Sequence, residues 1–123
     1  MEVLLDGALV YANLQSRLFY FAVNIIKLLR KLPNEKEYDI ITYQLTKFST
    51  SSGANYDEAQ SAVSKRDFSN KVAIALKEMR ESNYWIRLTI AISDNNSEWI
   101  VLQKESEELM KILGSIYSKT SKH

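Results

Sequence analysis

The chain has 123 residues, of which 46% are hydrophobic and 25% charged, so it can form one domain with its own core and is unlike a disordered chain. It has no cysteine, which excludes disulfides and thiolate chemistry, and its only histidine is His123, which argues against histidine catalysis or histidine metal ligation. The formal net charge is +1, so the chain as a whole is not a strong electrostatic binder of nucleic acid or anionic lipid.

The first residues do not follow the pattern of a packed element. Met1–Gly7 carries acids where a secretory signal has basic residues, and no apolar run approaches the ~20 residues of a membrane span. We therefore expect a cytoplasmic protein with no membrane partner. The predicted organisation is a flexible N-terminal arm at 1–11, a helical domain at 12–118 and a frayed C-terminal tail at 119–123.

The first helix is indicated by apolar residues at alternating spacings of four and three, which form one helical seam. These residues are Leu14, Leu18, Phe21, Ile25, Leu28 and Leu32. The seam predicts a helix that ends at Leu32, because Pro33 disfavours helical geometry in the residue before it.

The second helix is predicted to begin after Asn34, a suitable N-cap residue, with Glu35 and Glu37 near the positive end of the helix dipole. Its seam keeps the same spacing and comprises Tyr38, Ile41, Leu45, Phe48, Ser52, Asn55, Ala59 and Ala62. The stretch 50–55 has poor helix propensity, which would favour two shorter helices with a loop at Ser51–Gly53. We predict one continuous helix, because the seam stays in phase across this stretch.

Two further helices follow. Ser64 and Asp67 form a capping-box pattern at the start of the third helix, which is predicted to end near the turn cluster 93–96. The fourth helix is predicted to start at Asn96 or Ser97 and to fray after 118. Short connections between long amphipathic helices imply an all-α, antiparallel, up-down-up-down four-helix bundle.

The sequence offers little for catalysis. Metal-binding bundles place Glu and His on facing helices, and here no internal histidine exists and no glutamate lies on the first three seams. No histidine is available to activate the many hydroxyl groups, although a Ser–Lys arrangement stays open. We therefore predict no catalytic residues, no cofactor and no metal.

The most unusual stretch is a polar, small-residue segment of the second helix, which we call the waist. It comprises Ser52, Gly53, Ala54, Asn55 and Glu58. One interpretation is a close helix crossing at which a buried Asn55 bonds to Ser82 or to a neighbouring backbone group and fixes the register. The other is a ligand site or active site. Glu58 is expected to form an ion pair with a cation of the third helix, the candidates being Lys71, Lys77, Arg80 and Arg87.

Basic and aromatic residues suggest a partner surface, since arginine, tyrosine and tryptophan dominate interface hot spots. The candidate residues for a partner or for nucleic acid are Arg17, Lys65, Arg66, Lys77, Arg80, Tyr84, Trp85 and Arg87. Tyr56 and Trp99 are expected to be exposed as well. The alternative is a solvated helix face, because Glu78 and Glu81 interleave with the bases of the third helix.

Several stretches in order resemble one bacterial family of four-helix bundles, the proteins encoded in intervening sequences of 23S ribosomal RNA genes, also called S23. The most specific stretch is Thr50–Ala59, and the others are 14–18, 21–22, 32–33, 44–45, 64–68, 75–78 and 81–85. Lys47 followed by Phe48 departs from the family pattern, which more often has arginine and then a small residue.

The resemblance implies a continuous second helix and a ring-shaped homo-oligomer, with a pentamer as the expected form. A related branch, the accessory protein of diversity-generating retroelements, resembles a basic pentameric barrel that works with a reverse transcriptase and nucleic acid. We therefore expect a non-enzymatic homo-oligomeric interaction module whose partner is RNA, DNA or a nucleic-acid-processing protein. The alternatives are a small-ligand binder or enzyme that uses the waist, and a structural assembly protein without a ligand.

Overall fold

The computed structural model describes residues 13–121, which form four helices and no strand. The helices are α1 (Leu14–Leu29), α2 (Lys36–Ala59), α3 (Lys65–Ile92) and α4 (Ser97–Thr120). The all-α prediction is therefore confirmed over this part of the chain. The predicted N-terminal arm lies outside the described residues.

Helix α1 is shorter than its seam suggested. The Asn13 side chain caps its start by accepting a hydrogen bond from the Ser16 backbone N–H at 3.1 Å. The helix ends at Leu29, and Leu32 lies in a tight turn closed by its N–H to the Leu29 carbonyl. The prediction of helix up to Leu32 was wrong, because the last turn tightens before Pro33 and the proline keeps Leu32 out of helical geometry.

Helix α2 is continuous from Lys36 to Ala59, as predicted. The predicted N-cap, Asn34, was one residue early: Glu35 occupies that position, without a side-chain hydrogen bond to the helix. Ala62, the last seam position, lies beyond the helix end. The unfavourable propensities of 50–55 are overridden by contacts with neighbouring helices.

Helix α3 begins with the predicted capping box. The Ser64 hydroxyl accepts a hydrogen bond from the Asp67 N–H at 3.0 Å, and the Asp67 carboxylate accepts one from the Val63 N–H at 3.1 Å. The Lys71 ammonium lies 2.7 Å from the same carboxylate. The Lys71 hydrogen bond, followed by that from Val63, lowers the pKa of Asp67 below its usual value, although some desolvation acts in the opposite direction.

The core lies between the four helices and is made of the predicted seams. Its buried side chains include Leu18, Phe21, Ile25, Ile41, Leu45, Val72, Ala75, Met79, Ile86, Trp99, Leu102, Leu109 and Leu113. Helix α1 packs on α2 and α4, and α3 packs on the same two helices, so α2 and α4 occupy opposite corners of the bundle. Helix α4 continues to Thr120, past the predicted domain boundary at 118.

A membrane-spanning helix needs about 20 predominantly apolar residues. None of the four helices in residues 13–121 is both long enough and apolar enough to cross a bilayer.

Candidate functional site

The waist residue Ser52 faces α3. Its buried hydroxyl donates a hydrogen bond of 2.7 Å to the Ala75 backbone carbonyl. Because Ser52 and Ala75 are both small, the two helix backbones approach closely enough for a side chain to bond directly to the opposite main chain. This side of the waist is a closed helix crossing rather than an open pocket.

Gly53 and Ala54 face the other way, toward α1. A Cβ atom added at Gly53 would lie 3.5 Å from the Leu18 Cβ and 3.6 Å from the Leu18 backbone. The two residues also line an apolar groove of about 310 Å³ between α1 and α2, together with Leu18, Ala22, Val23 and Ile26. A Cβ at position 53 would therefore be in ordinary van der Waals contact with Leu18, which leaves little space on that side for a longer side chain.

Asn55 is half-buried, and its hydrogen bonds lie within its own helix. Its amide donates to the Ser51 carbonyl at 2.9 Å and to the Ser51 hydroxyl at 3.2 Å. Of the two predicted partners, the neighbouring backbone group is therefore the one observed, whereas the Ser82 hydroxyl donates to the Glu78 carbonyl within its own helix. Asn55 therefore acts within α2, while Ser51 reaches α3 by donating to the Glu78 carboxylate at 3.3 Å.

Glu58 is exposed, and its carboxylate forms no ion pair with any residue of 13–121. The predicted ion pair with α3 was wrong: of the candidate cations, Lys71 binds Asp67 instead. Ser52, Gly53 and Glu58 thus point toward α3, α1 and solvent, respectively. The five waist residues do not converge on one chemical site.

Arg17 was predicted to contribute to an exposed surface, but it is only 6% exposed. Its Nε and Nη2 donate to the two Glu105 carboxylate oxygens of α4 at 3.0 and 2.7 Å. This paired geometry satisfies a buried guanidinium and ties α1 to α4. A sequence signal for burial existed, since Arg17 lies one helical turn before Phe21 and two turns before Ile25 on the core side of α1.

A second buried polar cluster was missed by the sequence analysis. The Asn83 side-chain amide donates to the Ser106 hydroxyl at 2.9 Å, and Arg87 Nε donates to the side-chain oxygen Oδ1 of Asn83 at 2.9 Å. Ser106 in turn donates to the Gln103 backbone carbonyl at 2.6 Å. The position of Ser106 between Leu102 and Leu109 on the seam of α4 was the available signal.

Three of the predicted partner residues come together on the outer face of α3. Lys77, Arg80 and Tyr84 line an open depression of about 450 Å³, which also includes Glu81. The guanidinium of Arg87 lies 5.8 Å from the centre of the Tyr84 ring. We call these four residues with cationic or aromatic side chains, Lys77, Arg80, Tyr84 and Arg87, the α3 basic face.

The other predicted surface residues lie elsewhere. Lys65 and Arg66 are exposed at the start of α3, more than two helical turns from the basic face. Trp85 is half-buried and packs against the core. The expectation of an exposed Trp99 was wrong, since its ring is buried among the α4 seam residues, and Tyr56 is only half-exposed. Within residues 13–121, no group of His, Cys, Asp or Glu is arranged to hold a metal ion.

Comparison with known proteins identifies the family. The model of the family described as 23S rRNA-intervening sequence protein matches residues 13–115. The chain belongs to this family. The matched residues include the unbroken α2 and the waist.

A solved structure supports the same assignment. The chain is 36% identical to a protein of unknown function from the S23 ribosomal protein family of Bacteroides thetaiotaomicron, known from a crystal structure at 1.70 Å resolution. The match has a TM-score of 0.77 and covers 85% of this chain and 97% of the other. No curated protein matches the chain.

Proposed function

We propose that this member of the 23S rRNA-intervening sequence family is a non-enzymatic, homo-oligomeric interaction module, in which copies of an antiparallel up-down-up-down bundle form a ring, with five subunits as the expected number. The protein would work in the cytoplasm through its surfaces. Nucleic acid, or a protein that processes it, would be the further partner.

The observation that carries this proposal is the placement of exposed apolar side chains on opposite corners of the bundle. On α2, Ile40 and Tyr43 are exposed, Tyr43 to 65%. On α4, Ile100 and Val101 are exposed, Val101 to 66%. A ring requires two different surfaces that bind each other head to tail, and two apolar patches on opposite corners meet that requirement.

The antiparallel order is supported by contacts between helix ends. Gln15, at the start of α1, donates to the Asp57 carboxylate near the end of α2 at 3.0 Å. Lys31, just after α1, lies 3.6 Å from the Glu98 carboxylate in the first turn of α4. Each pair joins the beginning of one helix to the end of another, as an up-down order requires.

Light scattering combined with size-exclusion chromatography would test the oligomer. The parent should show a mass several times 14.2 kDa. Val101→Glu should shift the mass toward that of the monomer, because a buried carboxylate would be desolvated without a partner. Val63→Glu is the matched control, because Val63 is 92% exposed in the connection between α2 and α3. A monomeric parent at high concentration would contradict the proposal.

The α3 basic face supports nucleic acid as a partner. Lys77 and Arg80 can contact phosphates, and the half-exposed Tyr84 ring offers a stacking surface for an unpaired base. Repetition of this face around a ring would gather cations that are sparse in a single subunit of net charge +1.

Gel-shift titrations with labelled RNA and DNA at low salt would test this partner. The parent should bind and lose affinity as salt rises, since bound phosphates displace counterions. Lys77→Glu/Arg80→Glu should abolish the shift. Lys104→Glu/Lys111→Glu is the matched control, because it makes the same charge change at exposed positions on α4. It should bind more tightly than Lys77→Glu/Arg80→Glu. No shift for the parent up to tens of micromolar would remove nucleic acid from the proposal.

A further inference from the structure

The Tyr84 ring lies between two groups of cations on the outer face of α3. Lys77 and Arg80 precede it on the helix and line the open depression with it, and Arg87 follows one turn later. Tyr84 is 50% exposed, so its ring is available to a ligand in the depression. An exposed aromatic ring flanked by cations can stack on a base while the cations bind the adjoining phosphates.

Arg87 is held in place by hydrogen bonds that begin on α4. The buried Ser106 hydroxyl accepts from the Asn83 amide, and Asn83 Oδ1 accepts from Arg87 Nε. The two terminal nitrogens of the Arg87 guanidinium have no hydrogen-bond partner within residues 13–121. A guanidinium fixed through Nε with its terminal N–H groups free suits a phosphate, because it loses little side-chain freedom on binding.

Glu81 distinguishes a base position from the phosphate positions. Its carboxylate lines the same depression as Lys77 and Arg80 and forms no ion pair with any residue of 13–121. A phosphate close to this carboxylate would be repelled, whereas a base can donate a hydrogen bond to it from an amino group. We therefore expect a base beside Tyr84 and Glu81, with phosphates at the cations on either side.

The length of the face fits a short stretch of one strand. From Lys77 to Arg87 the helix rises about 15 Å at about 1.5 Å per residue, which corresponds to about four nucleotides at about 3.4 Å each. In a duplex the bases are stacked on their neighbours, so their faces are closed to a tyrosine ring. Tyr84 can therefore contribute to the binding of an unpaired strand but not to that of a duplex.

We propose that the α3 basic face binds single-stranded nucleic acid, with one base stacked on Tyr84 and the flanking phosphates bound by Arg87 on one side and by Lys77 and Arg80 on the other. The inference rests on the proposed nucleic-acid partner and names the form in which it is bound. Tyr84 selects the unpaired strand, whereas the cations attract either form.

The selection can be measured by fluorescence anisotropy with labelled single strands of about 12 nucleotides, as DNA and as RNA, and with the matching duplexes. In the DNA or the RNA arm, the parent should bind the single strand about ten-fold more tightly than the duplex at the same low salt, because one stacked base contributes about this factor. Equal affinity for the two forms in both arms would overturn this inference and leave a nucleic-acid partner in place. No binding to any probe would overturn both.

Replacement of Tyr84 tests the stacking contact. Tyr84→Leu should lower the affinity for the single strand about ten-fold and leave the affinity for the duplex unchanged, whereas Tyr84→Phe keeps the ring and should bind like the parent. Tyr117→Leu is the matched control, because Tyr117 is also exposed but lies on α4. An equal loss for both forms in Tyr84→Leu, or the same loss in Tyr117→Leu, would overturn the proposal.

The salt dependence of single-strand binding tests the phosphate contact of Arg87. Arg87→Gln should reduce the slope of log affinity against log salt by about 0.7, because one phosphate contact is lost. Arg66→Gln makes the same change at an exposed position at the start of α3 and should keep the slope of the parent. An unchanged slope in Arg87→Gln would contradict the placement of a phosphate at this guanidinium.

Discussion

The two sides of α2 hold their neighbours in different ways. Toward α3, Ser51 and Ser52 form hydrogen bonds across the helix crossing, and the small Ala75 allows the backbones to approach. Toward α1, Gly53 contacts Leu18 through apolar surface alone and leaves a groove beside it. Buried and partly buried directional bonds thus fix the α2/α3 register. The position of α1 depends on shape, on its ion pair with α4 and on one exposed hydrogen bond, from Gln15 to Asp57 at the end of α2.

The largest loss of stability on the α1 side is expected from breaking the ion pair between Arg17 and Glu105. Glu105→Ala removes the carboxylate that accepts two hydrogen bonds from the buried Arg17 guanidinium, and we expect the free energy of unfolding to fall by about 2–3 kcal/mol, less than for a fully buried pair. Lys31→Ala breaks the exposed pair with Glu98 and should cost about 0.5 kcal/mol or less. Urea denaturation of both variants gives the comparison, and equal losses would show that Arg17 does not hold α1.

The contact between α1 and α2 can be tested with a larger side chain at Gly53. Gly53→Leu should lower the free energy of unfolding by about 2 kcal/mol, because a Cβ at this position already touches Leu18 and the atoms beyond it would crowd α1. Gly114→Leu is the matched control, since a Cβ at position 114 meets no atom within 4 Å. That control should be neutral or stabilising. If Gly53→Leu unfolds at the same urea concentration as the parent, the close approach of α1 is not required.

The α3 side can be tested with two buried serines of the same helix. Ser52→Ala removes the hydrogen bond to Ala75 and should cost about 1 kcal/mol. The Ser49 hydroxyl is equally buried but has no hydrogen-bond partner within the described residues. Ser49→Ala should therefore be neutral or stabilising, because it removes an uncompensated polar group. The thermal unfolding temperature should fall for Ser52→Ala and stay the same or rise for Ser49→Ala. A similar fall in both variants would contradict this assignment.

The smallest expected effect concerns the capping box that begins α3. Because the folded pKa of Asp67 lies below its ordinary value of 3.8, its stabilising contribution is complete above that value. The contribution is lost as the pH falls through the lower, folded-state pKa. Asp67→Asn should therefore lower the free energy of unfolding at neutral pH. The free energy of unfolding of this variant should also depend less on pH in the acid range than that of the parent. A profile identical to that of the parent between pH 5 and the acid transition, in about 0.1 M salt, would contradict the role of Asp67.

The sequence predicted the helices well and their ends less well. Seams of apolar residues placed α1 to α4 because burial of one face is imposed by the helical repeat itself. Helix ends depend on local hydrogen bonds, which is why Leu32 was predicted inside α1 and Asn34 was predicted to cap α2. The Ser64–Asp67 cap was predictable because its residue types and spacing define the hydrogen bonds.

The candidate site was less predictable than the fold. Gly53 was predicted to lie at a close helix crossing, but the residue it faces, Leu18, could not be read from local sequence. Ser82 and a neighbouring backbone group were both predicted as partners of Asn55, and only the structure decided for the Ser51 backbone carbonyl. The ion pair of Arg17 with Glu105 joins residues far apart in the chain. Pairing between distant residues depends on helix rotation and offset, which single-helix patterns do not specify.

By itself, the sequence determined the number of helices, the continuity of α2, the family and most core residues, because periodic burial and specific motifs are local properties of a chain. Only the tertiary structure decided which polar groups are paired and which faces stay open. Arg17 is buried because Glu105 of α4 lies opposite it, and the α1/α2 groove is open because small residues line α2 where α1 crosses. Both facts follow from how the helices meet.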